Sequence, residues 1–237
     1  MNRALAALTL LVTATFVLSP ALTAPFSGFR ADQLPFPQIN PPVQPAGYAF
    51  AIWGLIYAWL VVSAVFGLLK RADSAAWNSV RLPLIISLGA GTPWLAVANN
   101  SAVWATVLIF VMAVSAIMAL LRAPRADRWW LRAPVGIYAG WLTAASFVAL
   151  ASTAAGYGLV MGPLGWAYAG IIGALLVAAI VQRQTGAPGY GLTVIWALVG
   201  IIVANGTAEM GVSALAALGI GAMLVLTLRP SGRPTPF

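Results

Sequence analysis

The side chains grouped closely enough to form a site in this chain are aromatic. Phe50, Trp53 and Tyr57 follow one another at spacings of three and four, so they share one face of a helix. Tyr138 and Trp141, three apart, share a face of another, and Trp94 directly follows the helix-kinking Pro93. Two such faces and an added indole can wall a flat, apolar cavity. Each buried indole N–H then needs either a protein acceptor or a ligand. The same rings can equally serve as packing between helices, and their spacing alone leaves the two readings level.

Other chemistry is largely excluded by what the chain lacks. It has no Cys and no His, which removes thiolate nucleophiles, disulfides, the commonest general base and most transition-metal sites. Its acids are Asp32, Asp73, Asp127 and Glu209, all outside the middle of any apolar stretch. No phosphate-binding loop, acyl-transfer triad or metal constellation is present, so no catalytic residue and no metal ligand is assigned. The single lysine, Lys70, sits at the end of an apolar stretch, which rules out a mid-membrane Schiff base. Ion-coupled pumping is disfavoured for the same want of an intramembrane ionisable group.

The elements that must position these rings are membrane helices. With 62% apolar and 7% charged residues, the chain cannot cover a water-facing surface. Apolar stretches at about 4–24, 46–69, 82–98, 102–121, 133–153, 163–182, 190–204 and 208–228 predict an all-α integral membrane protein with eight transmembrane helices. Counting Arg and Lys in alternate connections places 11 on one side and only Arg30 on the other. The positive-inside bias then puts both termini in the cytoplasm and explains the net charge of +8 without nucleic acid. The first stretch is longer than a signal-peptide core, so a retained helix is preferred over a cleaved leader. Eleven Arg against one Lys, with much Ala, associates the chain with a GC-rich bacterial genome and a bacterial cell membrane.

The connections carry their own signals. Residues 25–45 form the one long outer loop, stiffened by proline and carrying Phe26, Phe29, Leu34, Phe36 and Ile39. It either rests on the membrane surface or closes over the bundle as a lid. "RAPRADRWWLR" at 122–132 reads as an interfacial anchor to lipid, with Asp127 paired to arginine. "VANNSA" and "VANGTA" read as tight turns that cap the following helices, with Glu209 in the first turn of the last helix. Gly136 and Gly140 form a GxxxG suited to close helix packing, or to a homodimer.

"NPP…GYAFAIWGLIY" resembles the start of the second helix in the TspO/translocator protein family, the tryptophan-rich sensory proteins. "GTPW" resembles that family's third-helix Trp-Thr-Pro, with Gly91 in place of the usual Trp. "APVGIYAGWLTAAS" resembles the fifth helix and keeps the Tyr138-to-Trp141 spacing, although the proline has moved to 134. The resemblance implies a five-helix bundle with its lid loop over 1–155 and a three-helix extension over 156–237. It also implies a membrane receptor or carrier that binds a flat hydrophobic ligand, a porphyrin or related tetrapyrrole, with no resident cofactor. Trp53 and Trp141 would be pocket tryptophans, and Phe50, Tyr57, Trp94 and Tyr138 pocket wall. The alternatives are a permease for small or lipid-like solutes and a tetrapyrrole-degrading membrane enzyme, the latter ranked lower because no acid–base machinery accompanies the rings.

Overall fold

A chain that enters lipid must satisfy every backbone N–H and C=O within itself, and helices do this locally. The computed structural model describes residues 2–26 and 28–229. Arg233, counted above among the charges, and the final stretch 230–237 of the expected extension lie outside them. The described residues form nine α-helices and no strand. They are α1 (Asn2–Leu18), α2 (Ile52–Lys70), α3 (Ala75–Gly91), α4 (Trp94–Ala98), α5 (Ala102–Arg122), α6 (Ala133–Gly156), α7 (Pro163–Thr185), α8 (Pro188–Asn205) and α9 (Met210–Leu228). Their ends follow local chemistry. Proline opens α7 and α8, where its missing N–H has no helical partner to lose. Ser101 caps α5 by accepting the Trp104 N–H, and Gly186 ends α7 in the left-handed region at φ 59°.

Among the described residues, seven helical segments are long and apolar enough to cross a membrane. The expected third span departs from a single helix. It begins earlier, at Ala75, and breaks at Thr92–Pro93 into α3 and the short α4. Proline cannot donate to the preceding turn, and Pro93 stands at the N-cap of α4. The earlier start draws Arg81 out of the connection and into α3, where it is 3% exposed. Its guanidinium donates to the carbonyls of Gly67, Arg71 and Ala72 at the end of α2, to Asn2 O and to Asn78 Oδ1. A cation is stable there because helix C-terminal carbonyls are unpaired and carry partial negative charge. Glu209 also departs from expectation. It occupies the N-cap of α9 without a side-chain capping bond and is not part of the first turn.

The basic connections gather at one end of the bundle. Arg3 pairs with Asp73 at 3.3 Å, and Arg71 pairs with Asp127 at 3.0 Å. Arg132 donates to the carbonyls of Ala123 and Thr185, joining the α5–α6 and α7–α8 connections. A π-helical turn, Arg128–Arg132, lays Trp129 parallel to Trp59 and Trp130 parallel to Phe66 on α2. Loop 25–45 and the Asn-containing turns lie at the other end, as the contacts of the loop show below.

α6 is the central helix and packs against α5, α7 and α8. Its inward positions are mostly small, and GxxxG is used within the bundle. A Cβ on Gly140 would lie 2.6 Å from the Tyr190 carbonyl of α8, whereas one on Gly136 would meet its nearest atom at an ordinary 3.4 Å. Large residues such as Leu11, Leu69, Val114, Leu176 and Leu218 instead face outward. That is the arrangement expected where lipid is the outer solvent and small residues let helices approach.

The two glycines should therefore differ. Gly140→Ala is expected to destabilise the protein by about 1–3 kcal/mol, since helix backbone must move, while Gly136→Ala stays near wild type. Thermal unfolding in detergent checks this. Asp127 supplies a pH test. Hydrogen bonding from Arg71 and, secondarily, the Trp77 indole holds its carboxyl below the ordinary carboxylate value. A depressed folded-state value gives stability that is present above about pH 4 and lost as pH falls through the lowered value. The melting temperature of Asp127→Asn should fall less than that of wild type between pH 5 and the acid limit.

Candidate functional site

The six expected aromatic residues separate into two groups. The first is a closed cluster between α1, α2 and α6. Trp53 stacks on Tyr57 with ring centroids 5.2 Å apart. Phe16 of α1 meets Trp53, Tyr57 and Tyr138 edge-on at 6.0, 5.4 and 5.7 Å. Tyr138 is fully buried, and its hydroxyl shares a 3.0 Å hydrogen bond with Ser87, which donates onward to Met112 O. Phe16 was not singled out from the sequence, yet its ring fills the space beside Gly91. A Cβ there would approach it to 2.6 Å. The glycine that stands in place of the usual third-helix Trp thus seats a ring supplied by α1.

The second group borders an open cavity. Phe50, Trp94 and Trp141 line it, whereas Trp53, Tyr57 and Tyr138 do not. Trp141 links the groups, meeting Phe50 at 5.6 Å and Trp53 at 6.2 Å. Trp94 is held by its own indole, which donates to Ala105 O at 2.9 Å. Most of the wall comes from helical faces that aromatic spacing could not reveal. On α6 the lining residues are Trp141, Ala144, Ala145, Phe147, Val148, Ala149 and Ser152. On α7 they are Gly170, Ile171, Ala174 and Leu175, and on α8 Val194, Ala197, Leu198 and Ile201. The α7 and α8 sets each recur at three- and four-residue steps and so form one stripe per helix. The available signal was the small residues among them, which leave unfilled the volume that larger side chains would occupy. The cavity gives about 90 Å³ to the centres of water-sized spheres, several times what one water needs.

Residues of loop 25–45, the lid expected from the sequence, border this space. Phe26, Phe29, Val43 and Pro45 face the cavity, while Phe36 and Ile39 stay outward at 60% and 78% exposure. Phe26 meets Trp94 edge-on at 5.2 Å. Helix α8 holds the far end of the loop. Ala46 donates its N–H to Gly200 O at 2.9 Å, Asn205 donates to Pro42 O at 2.8 Å, and the Trp196 indole donates to Ala49 O at 2.9 Å. Gly200 permits the contact, because a Cβ there would sit 2.8 Å from Pro45 Cβ. Earlier in the loop, Phe36 N–H donates to Gly156 O, Gln33 to Ala98 O, and Asn99 donates back to Ala24 O. These partners place the ends of α4, α6 and α8 at the lid end of the bundle.

If α8 is the anchor, Gly200→Val and Asn205→Leu should loosen the loop while the bundle stays folded. Amide hydrogen exchange across residues 40–50, including the Ala46 N–H, is expected to accelerate at least about tenfold, which corresponds to 1.4 kcal/mol of lost protection. Unchanged exchange would show that the contacts at Gly156 and Ala98 suffice.

Comparison with curated proteins and with solved structures gives no significant match. A family model described as TSPO-like protein matches residues 4–229. The match runs through all nine helices, including α7, α8 and α9, which the resemblance set apart as an extension. With its apolar membrane helices and this coverage, the chain is an integral membrane protein and belongs to the TSPO-like family.

Proposed function

We propose that the protein is a membrane receptor or carrier for a flat hydrophobic ligand of the tetrapyrrole class, held in the cavity beneath the lid. The observation that carries this reading is the cavity itself. It lies inside an apolar bundle, is closed above by a proline-stiffened loop, and is walled by Trp94, Trp141, Phe50 and Phe147. Flat apolar surfaces gain both area burial and ring–ring geometry against such walls. A ligand as broad as a porphyrin requires the lid to move outward, and the loop is fastened by a small number of hydrogen bonds. The same reading takes the chain across the bacterial cell membrane eight times, with α3 and α4 together as one crossing and the basic end in the cytoplasm. Binding is favoured over catalysis because, among the described residues, none that lines the cavity is a general acid or base.

A porphyrin titration of the purified protein in nanodiscs, followed by indole quenching and the porphyrin absorption band, tests the reading. Saturable binding at micromolar concentration or tighter is expected. Ala145→Phe, which fills the cavity, and Trp141→Phe should each weaken it about tenfold or more, or roughly 1.4 kcal/mol. Trp53→Phe should change it less, because that ring lies behind the wall. No saturable binding, or equal affinity in wild type and Ala145→Phe, would overturn the assignment.

A further inference from the structure

Among the described residues the cavity wall contains no Asp, Glu, Lys or Arg. Among the described residues its polar side chains are Gln38, whose amide also donates to Phe36 O at 3.1 Å, Gln44, itself engaged within the protein, and Ser152 of α6. None of the described cations lines the cavity. Arg30, the one cation of the lid loop, is paired with Asp32 at 2.9 Å and points to solvent. Arg81 caps α2, Arg71 pairs with Asp127, and Arg132 binds carbonyls at the opposite end of the bundle. A ligand carboxylate drawn into this space would leave water and find no counter-ion. An unpaired buried charge is among the most unfavourable groups to desolvate. Amides and a hydroxyl, by contrast, are good partners for a carbonyl, ester or hydroxyl.

We propose that the cavity selects an uncharged ligand: an apolar body with a neutral hydrogen-bonding group directed at the lid glutamines and Ser152. The proposal rests on the cavity being the binding site, and it narrows the ligand from tetrapyrroles in general to molecules without free carboxylates. A diacid porphyrin is accepted only if its acid groups are masked or remain outside. The lid then acts as a polarity filter as well as a cover, since the polar side chains of the wall lie on it or on the last turns of α6 beneath it.

The test compares protoporphyrin IX dimethyl ester with protoporphyrin IX itself in phosphatidylcholine nanodiscs, with partitioning into empty nanodiscs subtracted. The ester should bind wild type at least about tenfold more tightly than the diacid. Gln44→Arg, which adds a cation at the lid, should narrow or reverse that ratio by strengthening the diacid alone. Equal or tighter binding of the diacid to wild type would overturn the selectivity and leave the cavity reading standing. Failure of both probes to bind saturably would overturn the cavity reading and the selectivity with it. If Gln44→Arg does not fold, the ester-to-diacid ratio of wild type still decides the matter.

Discussion

The architecture depends on how closely α6 can approach its neighbours. At Gly140 the backbone of α6 lies so near the Tyr190 carbonyl that no side chain fits between them. This contact sets α8 against α6, and α8 in turn carries the lid. Hydrophobic association contributes little between helices in lipid, so van der Waals contact and a few hydrogen bonds must decide the arrangement. The Thr143–Tyr190 hydroxyl pair at 3.0 Å, one turn from Gly140, fixes the same contact in a second way. A larger residue at Gly140 would affect the lid through α8 without touching any part of it.

The opposite side of α6 explains why the open space lies where it does. Phe16, Trp53, Tyr57 and Tyr138 fill the volume between α1, α2 and α6, leaving it closed by mutual edge-on and stacked contacts. Ring pairs of this kind contribute about 0.5–1.5 kcal/mol each beyond the area they bury. On the other side, Ala144, Ala145, Gly170, Ala174 and Ala197 meet across α6, α7 and α8 with too little volume to close. The cavity is the difference between an aromatic side and an alanine side of one helix. Trp141 stands at the boundary and belongs to both.

Much of this was legible before the fold was known. Hydropathy identified the membrane helices, and the alternation of charge foresaw which connections would meet, as Arg3–Asp73 and Arg71–Asp127 show. Helical spacing put Trp53 with Tyr57, which stack, and Tyr138 and Trp141 on one face of α6, where each meets Trp53. It could not say which side of the cluster would be filled, because that depends on Phe16 arriving from α1 opposite a glycine. The walls supplied by α7 and α8 were hidden for a related reason: alanine and glycine are frequent in membrane helices whether they border a void or a neighbour. The position of Arg81 was misjudged because charge was read as a sign of a connection, whereas a guanidinium that caps a helix end can be buried.

The long reach of the lid contacts has a consequence for how the protein is made. Pro42 and Asn205 are 163 positions apart, and Ala46 bonds to Gly200. Chains are synthesised from the N-terminus, at about 5–20 residues per second. The loop therefore emerges long before the helix that fastens it, and it waits through the insertion of α3 to α7 with no α8 to hold it. During that interval the forming cavity lacks both its last wall and its secured cover. The nascent chain thus passes through a stage in which the loop is held only by its contacts to Ala98 and Gly156, and the arrival of α8 near the end of synthesis supplies both the last wall of the cavity and the remaining ties of the loop.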